Sequence, residues 1–102
     1  RGWLGVMIQK ITPELQESFK LESSKGALVN DIAPNGPAAQ GGMKRGDVIT
    51  RFNGVVITHI DSLPKQVAAI KPGKSVLVEV IREGKVQTLN IKIEPMKEEK
   101  PA

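Results

Sequence analysis

A chain of 102 residues, 39% hydrophobic and 25% charged, accommodates one domain and little more. No apolar run approaches the ~20 residues needed to cross a bilayer, so no membrane span is expected, and the absence of cysteine removes disulfides, Cys-based zinc sites and thiol nucleophiles. The net charge of +4 is spread along the chain among acidic residues, and only Trp3, Phe19 and Phe52 are aromatic, so the clustered cations and stacking rings of a nucleic-acid binder are missing.

The chain opens Arg1-Gly2, without an initiator methionine or signal-peptide pattern, and reads as a fragment of something longer. Leu4, Val6 and Ile8 alternate with Gly5, Met7 and Gln9, the pattern of a strand with one apolar face. Thr12-Pro13-Glu14 supplies an N-cap, a proline in the first turn and an early acid. Leu15 and Phe19 give that helix an apolar stripe through about Lys20. Gly26 opens a second strand, Ala27 to Ile32, which Pro34-Asn35-Gly36-Pro37 ends. Ala38 to Met43 predicts a turn or two of helix, kept short by Gly41 and Gly42.

Val48 to Phe52 reads as the next strand, and Asn53-Gly54 before Val55-Val56-Ile57 is a hairpin signal, since both residues tolerate positive φ. Asp61-Ser62 is expected to cap a further helix, with Pro64 in its first turn and an end at Lys71-Pro72-Gly73. Ser75 to Arg82 and Lys85 to Ile93 form a hairpin around Glu83-Gly84. From Glu94 onward the composition shifts to Pro, Lys and Glu, so residues 1–94 are expected to be the domain and 95–102 a flexible tail or linker. The elements together predict a small α+β fold of five or six short, mostly antiparallel strands with two main helices.

Catalytic chemistry has few candidates. His59, Asp61 and Ser62 are the residue types of a hydrolase triad, yet a triad converges from separate elements, and no Gly-x-Ser-x-Gly elbow is present. Gly73-Lys74-Ser75 resembles the end of a phosphate-binding loop, but Ala68 stands where its first glycine belongs, and the run follows a helix rather than a strand. Arg45-Gly46-Asp47 runs straight into Val48-Ile49, so Asp47 reads as the start of a strand. Clustered metal ligands are lacking, the only adjacent acids being Glu98-Glu99 in the tail. Neither catalytic residues nor a metal or cofactor is expected.

The amino end offers a different chemistry. In Trp3-Leu4-Gly5-Val6 a glycine lies between two aliphatic residues at the entry to a strand, where successive amides can converge into a concave nest that suits an anion. Gly5 admits close approach of a ligand, and Leu4 and Val6 can wall an apolar pocket beneath. Leu63, Val67 and Ile70, at i, i+4 and i+7, provide a facing stripe. An aliphatic side chain carrying a carboxylate, such as a peptide C-terminus, fits that description.

At these residues the chain resembles a PDZ domain, in the circularly permuted bacterial form that follows the protease domain of HtrA/Deg-type serine proteases. Trp3-Leu4-Gly5-Val6 looks like the family's carboxylate-binding loop, and Ser24 to Val29 resembles its following strand. Pro37-Ala38-Ala39-Gln40-Gly41-Gly42-Met43-Lys44-Arg45-Gly46-Asp47-Val48-Ile49 is similar to its most distinctive stretch, with Phe52-Asn53-Gly54 directly behind.

The resemblance implies a PDZ-like, partly open antiparallel barrel or sandwich that binds hydrophobic C-termini of misfolded substrates by strand addition. It implies that the amides of Leu4, Gly5 and Val6 receive the carboxylate, that Arg1 and Trp3 flank them, and that Met7, Ile8 and Gln9 pair with the target. Leu4, Val6, Val67 and Ile70 would then line the last-residue pocket. Leu63 stands where many animal relatives carry a histidine, which implies hydrophobic preference at the last and third-last positions. It further implies a homo-oligomeric parent serine endopeptidase of the periplasm or cell envelope, whose protease domain is a partner. The alternatives are an assembly role within that parent, or a domain of a site-2 protease or secretion component.

Overall fold

The computed structural model describes residues 2–95. Eleven elements follow in order: β1 (Gly2–Trp3), β2 (Val6–Gln9), α1 (Pro13–Ser18), β3 (Ala27–Ile32), α2 (Pro37–Gln40), β4 (Val48–Phe52), β5 (Val55–Val56), α3 (Ser62–Ala69), β6 (Ser75–Arg82), β7 (Lys85–Lys92) and β8 (Glu94–Pro95). The main sheet is antiparallel and open, in the order β2-β3-β4-β6-β7, with β5 paired to β4. A separate ribbon joins the two ends of the domain, Gly2 opposite Pro95 and Trp3 opposite Glu94. Of the residues expected as a tail, Pro95 is thus a strand residue, and 96–102 lie outside the described residues.

Side-chain alternation accounts for the sheet. Val76, Val78 and Val80 of β6 point inward at every second position, while Leu77 between them is exposed. They meet Ile91 and Ile93 from the β7 side, Ile49 and Phe52 from β4, and Leu63 and Val67 from α3. Each such full burial contributes about 1.5–3 kcal/mol over leaving the side chain in water. A smaller cluster, Ile11, Leu28 and Val48, lies on the other side with Leu15, Leu21 and Ile81 against it. The Asn53-Gly54 and Glu83-Gly84 turns both have two consecutive positive φ angles, as tight two-residue hairpins require.

Several local expectations change. Thr12 does cap α1, its Oγ1 accepting the Leu15 amide at 3.2 Å, but the helix stops at Ser18 rather than near Lys20. Lys20 adopts φ 55, its amide donating to the Glu17 carbonyl and that of Leu21 to Gln16, which turns the chain away. Phe19 is left 38% exposed, so only Leu15 of the expected stripe packs. A glycine suits this left-handed position far better than lysine. Lys20→Gly is therefore expected to stabilise the domain by about 1 kcal/mol, seen as a thermal midpoint raised by ~4–8 °C.

The start and end of α3 also differ. Asp61 occupies the N-cap position in helical geometry (φ −66, ψ −20), and its side chain makes no capping bond. The helix start is held instead by turn bonds, the Ser62 and Leu63 amides donating to the His59 and Ile60 carbonyls. Ser62 Oγ donates to the His59 carbonyl at 2.8 Å, so the hydroxyl engages the backbone rather than the imidazole. At the other end Ile70 is already extended (ψ 134). Pro72 disfavours helical geometry at Lys71, and the helix ends two residues before it.

Candidate functional site

Strand β2 is the edge of the main sheet, with β3 on one side only. A cavity of about 270 Å³ lies between its entry loop and α3, lined by Leu4, Gly5, Val6 and Ile8 on one wall and by Leu63, Pro64, Val67 and Ala68 on the other. Every one of these α3 side chains is apolar. Gly2 forms part of the floor, where β1 passes so close to the end of α3 that an added Cβ would collide with the Val67 carbonyl.

The direction of the loop amides follows from where the loop carbonyls go. The Leu4 carbonyl accepts the Ala38 amide at 3.0 Å, and the Gly5 carbonyl accepts the Ala33 amide at 2.9 Å. All peptide bonds here are trans, so each N–H points opposite to the carbonyl of its own peptide plane. The Gly5 amide therefore points away from α2, and the Val6 amide away from the end of β3. Leu4 and Gly5 have no backbone acceptor for their amides among the described residues. Gly5 holds φ +81, the left-handed geometry that sets these two planes side by side. Buried amides without an acceptor are uncommon in folded proteins, and two successive ones make a nest for an anion.

The same reasoning extends along β2. The Ala33-to-Gly5 bond flanks Val6 and Ile32, marking them as a non-hydrogen-bonded pair whose N–H and C=O groups face away from each other. Opposite Ile8, Val29 donates to the Asp47 carbonyl and accepts the Gly46 amide, so neither group serves Ile8. Val6 and Ile8 thus present their N–H and C=O groups to the open edge. Met7 and Gln9 face β3, which narrows the pairing expected over Met7 to Gln9 to its central residue.

The expected site residues divide as follows. Leu4, Gly5, Val6, Ile8, Leu63 and Val67 come together around the cavity, and Trp3 lines its rim. Ile70 does not join them; having left the helix, it packs half-buried against the main core. Met7 and Gln9 lie on β2 outside the cavity, Met7 being 64% exposed. Arg1 lies outside the described residues. Pro64 and Ala68, missed in the sequence reading, form the rest of the α3 wall; their i, i+4 spacing beside Leu63 and Val67 was the available signal.

A second polar feature was not anticipated at all. Asp47, fully buried, accepts Arg82 Nε at 2.9 Å on one oxygen and Arg82 Nη2 at 2.7 Å on the other, along with the Lys44 amide at 2.9 Å. Arg82 Nη2 also donates to the Gly42 carbonyl at 2.8 Å. This fork ties the loop between α2 and β4 to the end of β6.

The family model described as PDZ domain matches residues 2–93, and the chain belongs to that family. It is 47% identical over 93 residues to a probable periplasmic serine endoprotease DegP-like from Pseudomonas putida, covering 91% of this chain and 20% of the relative. It is 42% identical over 99 residues to a protein of the same description from Bartonella henselae, covering 97% and 20%. The chain thus spans about a fifth of the length of these curated relatives.

Among solved structures, the HtrA-type protease AlgW with a decapeptide superposes with a TM-score of 0.85 at 36% identity, over 92% of this chain and 29% of that one. The HtrA3 PDZ domain bound to a phage-derived ligand, FGRWV, superposes with a TM-score of 0.77 at 31% identity, over 92% and 86%.

Proposed function

We propose that this PDZ domain captures the free C-terminus of a polypeptide with a hydrophobic last residue, by adding it as a strand along the edge of β2. The observation that carries the reading is the pair of outward amides at Gly5 and Val6, set at the mouth of an apolar cavity. A terminal carboxylate satisfies the amides, its own side chain enters the cavity, and Val6 and Ile8 offer the backbone groups for strand pairing. With Leu63 and Val67 facing it, the third-last side chain also meets an apolar wall. The decapeptide with AlgW and the FGRWV ligand bound to the HtrA3 PDZ domain support a peptide as the ligand.

The relatives' names support a place for the domain in an HtrA-like serine endoprotease of the periplasm, as the part that recognises exposed hydrophobic ends of substrates. Residues 1–95 would be that module, since Pro95 still pairs with Gly2, and 96–102 a linker, with the parent's protease domain and further subunits as partners. A bound end changes such a parent's activity only through unequal affinity for two of its states.

The small interface and the cost of ordering a flexible chain set the affinity in the micromolar range, about 6–8 kcal/mol. A free-acid peptide ending in a hydrophobic residue is expected to bind at least about tenfold more tightly than its C-terminally amidated twin, measured by calorimetric titration. Equal affinity, or binding by neither, would sink the reading and leave the groove to an assembly role. On a peptide array, hydrophobic third-last residues are expected to outperform Ser and Thr; selection of Ser or Thr would refute the role given to Leu63.

A further inference from the structure

The face of β2 turned away from the groove carries a second cavity, of about 260 Å³. Trp3, Met7, Asp31 and Pro34 are among the residues around it. Met7 and Asp31 are cross-strand partners in the β2–β3 ladder, so their side chains share that face. Met7 is 64% exposed, and Trp3 lines the same cavity. Asp31 accepts the Ile32 amide on one carboxylate oxygen at 2.9 Å and has no ion-pair partner among the described residues.

We propose that this face selects the penultimate residue of the captured chain, favouring a long cationic side chain, Arg or Lys, through Asp31. The inference rests on strand addition along β2. Side chains of an added strand alternate in direction, so when the last and third-last enter the groove, the penultimate one emerges on the opposite face, beside Met7. The row across the sheet then runs from the penultimate residue to Met7 to Asp31. Asp31 lies two strand spacings away, roughly 9–10 Å, and only a long side chain spans that distance. Arg and Lys have the required form, an aliphatic stem to lie on the Met7 thioether and a charged head to reach the carboxylate. The Trp3 ring at the edge of the same cavity adds an attractive surface for a cation.

The test uses free-acid hexapeptides with one hydrophobic last residue, differing only in Arg, Leu or Glu at the penultimate position, titrated against the domain. The pair is solvent-exposed, so the expected advantage of Arg over Glu is about fivefold, with Leu between them. It should shrink as salt is raised. Asp31→Asn keeps an oxygen for the Ile32 amide and is expected to bring the three peptides close to one affinity; Asp31→Lys is expected to reverse their order. Equal affinities on the unmodified domain, while amidation of the terminus still weakens binding at least about tenfold, overturn this inference and leave chain-end capture standing. Failure of every free-acid peptide to bind overturns both.

Discussion

Replacing Arg82 with methionine is expected to lower the stability of the domain by about 3–5 kcal/mol, read as the urea midpoint of unfolding. The magnitude comes from what the substitution leaves behind. Asp47 has a side chain 1% exposed, whereas Arg82 retains 21%, so the carboxylate cannot turn to water when its partner is removed. It would keep one donor, the Lys44 amide, out of three. For a domain whose whole stability is of order 5–15 kcal/mol, that is a large share.

Asp47→Ala is expected to cost less, because the guanidinium it leaves behind is nearer solvent. The double substitution should cost less than the sum of the two, the usual result when both members of one pair are removed. An Arg82→Met effect below about 1 kcal/mol would contradict the role given to the pair. The hydrogen bonds that Arg82 donates to the Asp47 carboxylate raise the Arg82 pKa above its ordinary value, against the opposing effect of burial. Stability tied to a raised pKa is present below the unfolded value and is lost as pH rises through the folded one. For this guanidinium that window lies in strong alkali, so this contribution holds across the physiological range.

The ion pair also shows where reading along the chain stops. Asp47 and Arg82 are 35 positions apart, and nothing local to either marks the other. Features written in neighbouring residues were legible: the Asn53-Gly54 turn, the hairpin around Glu83-Gly84, and the Thr12 cap each depend on contacts within a few positions. The misreadings were local rules overruled by packing or by a competing local bond. Asp61 has the chemistry of a cap, yet its backbone is already helical there. Ile70 continues the i, i+4, i+7 stripe on paper, but its backbone is already extended (ψ 134), so the chain leaves the helix first.

The candidate site falls between these cases. Its residue types were legible, and the resemblance supplied an order for them, but the direction of its amides was not. That depends on Ala33 and Ala38, two residues more than 25 positions away whose amides pin the loop carbonyls.

Gly5→Val is accordingly expected to lower affinity for free-acid peptides by more than about tenfold while reducing stability by only ~1–2 kcal/mol. Space for the Cβ is not the obstacle. A Cβ at Gly5 would meet the Pro37 ring at 3.4 Å and the Trp3 indole at 3.5 Å, ordinary contact distances. The obstacle is φ +81, which a β-branched residue resists strongly. Relaxing to negative φ rotates the two peptide planes on either side of residue 5, the same planes whose amides turn away from α2 and from the end of β3. The carbonyl bonds to Ala33 and Ala38 then weaken together with the anion nest, so binding and a little stability are lost in one movement.

Affinity for the amidated twin, which gains nothing from a carboxylate nest, should fall much less, and the preference for a free acid should narrow toward unity. Gly5→Ala, less averse to positive φ than valine, should lie between the two. If Gly5→Val instead kept its full preference for the free acid, the carboxylate would be held elsewhere, and the outward amides would have to be explained by some other anion.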